Sequence, residues 1–402
     1  MPYFFEVPVP LQQQARWMMF ILVMSTALSL AVQPFSSILV AHQLIHVDNL
    51  IRFVLLFLRA VLTVVLLSNG AGLLSLALAN LCATSLTAVL VVVRAHRLVP
   101  RLKIRPSAIS LEIVKSAGST GLWFSLGGLA GLFIQNVDHV VAGRLVSLEA
   151  VTLLAITGKV YLLSQSLLYQ LTNAARPALG QLFGQGKREQ ALQAYRQLFA
   201  LSTSGALVAC AALWAVNETF ITLWVGPQHY GGGWLNLAFA LNLLVNVWVM
   251  PNRAVLSAGL VVRPQALARA LEGALNVLLS VMLTLQFGLV GVTISTTLAA
   301  TLTSFFYLPY LTARMFGRPF RAFLAEDVRR VLALALALVP VAVLARWMTG
   351  QLGGWGGVFA GGLTVGVTGL ALLWVTTLDA ALRLRIIHFL RRQERRWMQS
   401  SS

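Results

Sequence analysis

Residues 50–94 read LIRFVLLFLRAVLTVVLLSNGAGLLSLALANLCATSLTAVLVVVR. Two apolar runs, Leu50–Asn69 and Ala71–Arg94, stand on either side of Gly70. Each run has the length of about 20 residues that a helix needs to cross about 30 Å of hydrocarbon. Backbone polar groups find no water inside a bilayer, so such a run satisfies them internally as a helix. The stretch therefore predicts two transmembrane helices joined by a tight turn.

Similar apolar runs recur along the whole chain of 402 residues. The chain is 58% hydrophobic and 10% charged, with a mean hydropathy of +0.80, whereas a soluble domain is about a quarter charged. We therefore predict an all-α, polytopic membrane protein. Its eleven expected spans are Trp17–Leu44, Leu50–Asn69, Ala71–Arg94, Ala117–Gly143, Ala150–Thr172, Ala191–Ala215, Gly233–Leu256, Leu267–Phe287, Leu289–Thr312, Val328–Met348 and Gly354–Thr377.

The net charge of +18 comes from Lys and Arg residues that lie mostly between these spans. This spread indicates topology and contact with lipid headgroups, and it argues against a nucleic-acid-binding patch. Alternate loops carry nearly all of the basic residues, and the other loops hold Arg16, Arg144 and Arg346. Since cytoplasmic loops carry the excess of positive charge, we predict a multi-pass inner (plasma) membrane protein with a cytoplasmic C-terminus. The basic tail, residues 381–399, is expected to lie on the cytoplasmic leaflet.

A repeat relates two parts of the chain. Pro34, Gly70 and Arg94 have nearly the same spacing as Pro251, Gly288 and Arg314, and VVLLSNGAGLLSLALANL (64–81) resembles SVMLTLQFGLVGVTISTT (280–297). Both copies run from outside to inside, so they predict a parallel repeat. In the second copy, three spans (from Ala117 to Ala215) precede the helix of Pro251, whereas none precede the helix of Pro34. We therefore expect an incomplete N-terminal lobe that lacks three helices (residues 1–110), a six-helix C-terminal lobe (111–318), and two additional helices with a basic tail (319–402).

Residues 136–197, beginning NVDHVVAGRL, resemble the seventh and eighth helices of O-antigen and polysaccharide flippases in the multidrug/oligosaccharidyl-lipid/polysaccharide exporter superfamily. The matching features include Asp138, Tyr161, Pro177 and the Gly186–Arg188 turn. Later landmarks of the family are similar to Trp224, Gly226, Tyr230, Asn276, Gly288 and Gly291.

The resemblance implies two six-helix lobes around a cavity that opens alternately to each side. It also implies an undecaprenyl-diphosphate-linked oligosaccharide as cargo (an O-antigen, capsule or exopolysaccharide unit), with membrane lipids and other polysaccharide assembly proteins as partners. The absent first helices line the cavity in that family, so the chain as given is expected not to transport by itself.

Ionisable groups inside spans are candidates for function, because leaving them unpaired in lipid costs several kcal/mol. Asp138 is predicted to bind a coupling ion, H⁺ or Na⁺; alternatively it pairs with Arg144 or Lys159. Gln135, one helical turn before it, is a candidate substrate contact.

Two cations inside the spans are further candidate cargo contacts. Lys159 would offer positive charge to a diphosphate, or would form an ion pair with Asp138. Arg59 would also contact cargo, unless helix packing buries it against carbonyl groups. Glu272 is expected to pair with Arg269 rather than to serve in coupling.

Other functions were weighed against the flippase. The chain has no HExxH, Walker or GxSxG motif and no clustered Asp pair, so it predicts no enzyme, cofactor or metal site. A polysaccharide polymerase or ligase would need a long external loop, and the longest expected one spans only 216–232. A multidrug or small-molecule exporter of the same fold, and a transport-dead truncated product, stay open as alternatives.

Overall fold

A computed structural model describes residues 12–42, 44–70, 72–100, 102, 110–376 and 383. All regular secondary structure in these residues is helical. The chain divides into two compact units with a boundary between Ile109 and Ser110.

The first unit contains three helices: α1 (Gln12–Ala41), α2 (Ile45–Ser68) and α3 (Leu74–Leu98). Helix α3 packs against both of the others. Small and β-branched side chains such as Ala88 and Val91 allow close contact with Leu39 in the core of this unit. Asp48 near the start of α2 forms an ion pair with Arg52 one turn later, at 2.8 Å.

The second unit contains the remaining described helices. They are α4 (Leu111–Leu145), α5 (Leu148–Thr157), α6 (Lys159–Gly184), α7 (Arg188–Val225), α8 (Gly233–Ala258), α9 (Val262–Ala300), α10 (Tyr307–Met315), α11 (Phe320–Leu352) and α12 (Gly354–Thr376), with a π-helical turn at Thr301–Phe305 between α9 and α10. Its core contains Tyr195 of α7 and Trp248 of α8, together with buried apolar side chains of α6 and α10. Helices α11 and α12 pack against α7.

Eight helices of the described residues are long and apolar enough to cross a membrane, or nine if the bent pair Glu149–Thr157 and Lys159–Gly184 forms one span. Ten of the eleven predicted spans overlap one of these eight helices or the bent pair, and Ala117–Gly143 lies in α4, which is not among the eight. One of the eight, the stretch Val262–Met315, counts as a single candidate by its length and composition but contains two predicted spans, Leu267–Phe287 and Leu289–Thr312. The prediction of an all-α, polytopic membrane protein is confirmed.

The chain reverses inside α9 at Gly288, between the expected spans Leu267–Phe287 and Leu289–Thr312. Gly288 has φ 56° and ψ −135°, a backbone conformation that essentially only glycine adopts. The two arms, 262–287 and 289–300, then run antiparallel: the hydroxyl oxygens of Ser280 and Ser295 are 2.6 Å apart, and Asn276 Nδ2 donates to Thr296 Oγ1 at 3.1 Å. This reversal turns one apolar stretch into two spans.

We expect Gly288→Ala to lower the free energy of unfolding by about 1–3 kcal/mol, because Ala must adopt the same strained backbone at the reversal. Gly180→Ala is the matched control: Gly180 lies within α6, and an added Cβ would meet no atom within 4 Å. Ala in a helix interior is favoured over Gly by about 1 kcal/mol, so the control should hold or gain stability. Thermal unfolding of the purified protein in detergent measures both, and equal midpoints would contradict the strained turn.

The predicted external loop 216–232 is largely helical, which corrects the sequence analysis. Helix α7 continues to Val225 and ends at Gly226, where φ is 101°. The extension is fixed by Asn217, a buried side chain whose amide donates to Thr157 O at 3.1 Å and to Asn236 Oδ1 at 2.7 Å. The predicted surface tail 381–399 lies, except for Arg383, outside the described residues.

Candidate substrate and ion site

A cavity of 740 Å³ lies inside the second unit, lined by residues of α4, α5, α6, α8 and α9. Small residues bring α4 and α9 close together along one wall. A Cβ on Gly127 would lie 3.8 Å from Ala266 Cα, and one on Gly273 would lie 3.6 Å from Ala130 O. Such close approach of helix backbones is typical of small residues at membrane helix interfaces. It allows long polar side chains of α9 to reach across α4 into the cavity.

Asp138 on α4 lines the cavity, and Thr296 on the second arm of α9 holds its carboxylate. Thr296 Oγ1 donates to Asp138 Oδ2 at 3.0 Å and itself accepts from Asn276 Nδ2. Asn276 in turn accepts from Ser280 Oγ at 2.8 Å. The carboxylate is therefore oriented by a chain of buried hydrogen bonds within the α9 reversal.

Amide and hydroxyl groups cover the wall formed by α6 and α8. Tyr161 OH donates to Asn242 Oδ1 at 2.6 Å and accepts from Gln165 Nε2 at 2.8 Å. Asn246 Nδ2 also donates to Asn242 Oδ1, at 2.9 Å. Buried polar groups joined in this way form a network that stays ordered in a low dielectric.

Three arginines line the cavity: Arg176 from α6, Arg253 from α8 and Arg269 from α9. Two of them share Glu272, which is 1% exposed: Arg253 Nη2 lies 2.7 Å from Oε2 and Arg269 Nη1 lies 2.6 Å from Oε1. Ser304, in the π-helical turn, also donates to this carboxylate. The predicted pair of Glu272 with Arg269 is confirmed, and Arg253 is a further partner.

Arg176 differs from the other two arginines. It forms no hydrogen bond or ion pair with any residue that the structure describes, and its Nε is buried without a partner. A buried donor of this kind carries a desolvation penalty until something binds it. Its guanidinium is thus available to an anion.

Among the predicted site residues, the cavity brings together Gln135 and Asp138. Asp138 contacts Thr296 rather than Arg144 or Lys159, the two ion-pair partners considered from the sequence. Lys159 does not line this cavity. It is exposed at the first position of α6, where α5 and α6 meet at 51°, and within the described residues it has no hydrogen-bond or ion-pair partner.

Arg59 lies in the first unit, on α2. Its Nη1 donates to Asn80 Oδ1 on α3 at 3.1 Å, and its side chain is exposed. Within the first unit, helix packing thus gives Arg59 an amide carbonyl oxygen as partner without burying its side chain.

The three cavity arginines were missed as site residues because they were counted as markers of cytoplasmic loops. Arg253 and Arg269 lie within four residues of the ends of the expected spans Gly233–Leu256 and Leu267–Phe287, and Arg176 lies four residues beyond Ala150–Thr172, where α6 continues. The sequence does hold a signal: Asn242, Asn246 and Arg253 recur on α8 at spacings that place polar groups along one side of a helix. No group of three or more His, Cys, Asp or Glu residues able to hold a metal occurs in the described part of the chain.

Residues 125–238 match the MatE family model. Comparison with curated protein sequences finds no match to the chain. Among solved structures, MATE in complex with MaL6 is similar at 16% identity with a TM-score of 0.53, covering 75% of this chain and 78% of the other. MATE in the bent conformation gives the same identity and TM-score over 77% of this chain and 78% of the other.

The lipid II flippase MurJ in an inward closed conformation also matches, at 13% identity over 79% of this chain and 66% of the other, with a TM-score of 0.46. That score is too low to carry an argument. The MatE match includes Gln135, Asp138, Tyr161 and Arg176, and the MATE structures extend the likeness to the fold. Together these findings give the chain a MATE-like fold. They also support its resemblance to the multidrug/oligosaccharidyl-lipid/polysaccharide exporter superfamily.

Proposed function

We propose that this chain moves an undecaprenyl-diphosphate-linked oligosaccharide across the inner membrane by alternating access, within an organisation of two lobes and two additional helices. The observation that carries the proposal is the cavity of the second unit, in which three arginines and a wall of amides and hydroxyls face the same space. Such a cavity suits a ligand that is both anionic and rich in hydroxyl groups.

The diphosphate and the sugar of this cargo form different kinds of hydrogen bond. Diphosphate oxygens accept hydrogen bonds from guanidinium groups, often two at a time, and these charge-assisted bonds are about twice as strong as neutral ones. Sugar hydroxyls both donate and accept, so they match Asn242, Asn246 and Gln165, whose amides do the same. The unpartnered Arg176 supplies the free positive charge.

The residues predicted from the sequence have proposed roles in this function. Gln135 would contact the cargo inside the cavity, and Asp138 would bind the coupling ion, H⁺ or Na⁺. Lys159 and Arg59, whose side chains are exposed, are further proposed cargo contacts.

Multidrug export is the second candidate function, favoured by the MatE match and by the fold shared with the MATE structures. Exported drugs that are organic cations would pair with a carboxylate. Among the described residues that line the cavity, Asp138 is the one carboxylate, against three arginines. The balance of charge therefore favours an anionic cargo.

The test is transport in proteoliposomes that contain the chain joined to the first three helices of a related flippase, since we expect the chain alone not to transport. One set holds a fluorescent undecaprenyl-diphosphate oligosaccharide and another holds ethidium. We expect the lipid-linked sugar to cross and ethidium not to. Gln135→Leu should slow its crossing about fivefold, the loss of about one hydrogen bond. Gln185→Leu, exposed at the end of α6, should leave the rate unchanged. Transport of ethidium without transport of the sugar would support the multidrug function instead.

A further inference from the structure

The cavity of the second unit carries opposite charges at two separate places. Arg176, Arg253 and Arg269 supply positive charge, and Asp138 supplies the negative charge. Glu272 offsets one of the three arginines from behind the cavity wall. The three arginines, which we call the basic region, therefore keep an excess of positive charge that no described protein group neutralises.

The distance from Asp138 to Arg269 of the basic region can be followed along two helices, α4 and α9. On α4, a Cβ on Gly131 would lie 3.6 Å from Arg269 Nη2, and Asp138 follows seven residues later. On α9, Arg269 is followed seven residues later by Asn276, which reaches Asp138 through Thr296. Seven residues of helix rise about 10 Å. Both routes therefore place the carboxylate about 10 Å from Arg269.

Arg176 is more distant, because it follows Tyr161, which faces Asp138 from α6, by fifteen residues. That length of helix rises about 22 Å, so the carboxylate lies about 20 Å from Arg176.

Each region also holds a buried polar atom without a hydrogen-bond partner. At the basic region it is Arg176 Nε, and near the acidic one it is Oγ1 of Thr293, one turn before Thr296 and lining the same cavity. An unpartnered guanidinium nitrogen is completed by an anion, and an unpartnered hydroxyl can offer its oxygen to a cation. These two atoms point to two ligands of opposite charge.

We propose that an anionic diphosphate ligand at Arg176 and a cation at Asp138 bind this cavity together, each strengthening the binding of the other. The inference rests on the proposed function, since it takes the diphosphate cargo and the ion-binding role of Asp138 from there. When Asp138 carries its charge alone, its field opposes an anion at Arg176, about 20 Å away. A bound proton or sodium ion removes that opposition.

The size of the coupling follows from Coulomb's law. Two unit charges about 20 Å apart at an effective dielectric constant of about 20 give about a fourfold change in affinity. Because linkage is reciprocal, the anion strengthens cation binding by the same factor. A cationic drug would behave in the opposite way, since it would compete with the coupling cation for the single cavity carboxylate.

The groups that face Asp138 do not supply another acid. His139 lies beside it on α4, Tyr161 faces it from α6 and Arg269 from α9, while α8 contributes the amides of Asn242 and Asn246. The effect of the Asp138 charge on anion binding is therefore measured by comparing the wild type and its variants at one pH. At a single pH, the protonation of the ligand is the same in every sample.

The experiment measures the affinity of the purified full chain for farnesyl diphosphate, with farnesol as the uncharged probe. Trp123, which lines the cavity, provides a fluorescence signal. For the wild type at one pH, replacing an inert organic cation by Na⁺ at constant ionic strength should strengthen binding about fourfold. At the same pH, Asp138→Asn should bind with that higher affinity at any sodium concentration. Arg176→Gln should weaken binding at least tenfold, the loss of a charge-assisted hydrogen bond.

Two controls isolate the charges of the cavity. Glu149→Gln and Arg318→Gln change exposed side chains that do not line it, and both should bind like the wild type. If Asp138→Asn binds the diphosphate no more tightly than the wild type at the same pH, the cooperative binding is overturned. If farnesol binds as tightly as farnesyl diphosphate, there is no anion site, and the proposed cargo fails with it.

Discussion

Glu272→Gln is expected to lower the free energy of unfolding by about 3–5 kcal/mol, because it removes the charge that two buried arginines share. Arg253 and Arg269 contact its two carboxylate oxygens at 2.7 and 2.6 Å, and their side chains are only 21% and 15% exposed. Without the carboxylate, the two guanidinium groups repel each other in a low dielectric. Unfolding of the purified protein by SDS titration, followed by its tryptophan fluorescence, measures the loss.

Glu218→Gln is the matched control, since it changes the same chemical group in an exposed pair. Glu218 lies 3.5 Å from Arg346, and the two side chains are 54% and 48% exposed. Exposed ion pairs contribute about 0–1 kcal/mol. If the two variants unfold at the same SDS fraction, the buried cluster does not hold the second unit together.

The transmembrane helices follow from the sequence because the bilayer imposes a simple condition. Every span must be apolar over about 20 residues and must satisfy its own backbone. The runs on either side of Gly70 and of Gly288 meet that condition, and the structure has helices at each of them. The turn at Gly288 could also be predicted, since glycine accepts a backbone conformation that other residues resist.

The cavity could be predicted only in part. Asp138 stands out because an acid within an apolar run is rare. Its partner Thr296 is 158 residues away, and no local spacing relates the two. Threonine is also common in membrane helices without any contact to an acid, so nothing in the sequence marks this one.

The arginines of the cavity were misread for a physical reason. Sorting charges by loop assumes that a cation near the end of an apolar run reaches water. Arg253 and Arg269 instead point inward, because Glu272 on α9 holds both. Lys159 was misplaced in the opposite direction. Its apolar neighbours suggested a position inside the cavity, but the bend between α5 and α6 leaves its side chain exposed.

Asp138→Asn is expected to reduce the stimulation of transport by a proton or sodium gradient at least tenfold. Asn has the same shape and keeps an oxygen that accepts from Thr296, but it carries no charge for a cation. Loss of a charged partner removes about 1.5–3 kcal/mol of interaction, which corresponds to about a tenfold to hundredfold weaker cation site. The measurement is the crossing rate of the lipid-linked oligosaccharide in proteoliposomes of the chain joined to the first three helices of a related flippase, with and without an imposed gradient.

Glu149→Gln is the control for the loss of a carboxylate near the site, because Glu149 is exposed on α5 and does not line the cavity. It should keep the full response to the gradient. The Asp138→Asn protein should still bind farnesyl diphosphate, which separates a lost coupling site from a misfolded chain. A normal gradient response in Asp138→Asn would show that the coupling ion binds elsewhere, and the chain of hydrogen bonds from Ser280 through Asn276 and Thr296 would then serve only to satisfy a carboxylate inside the membrane.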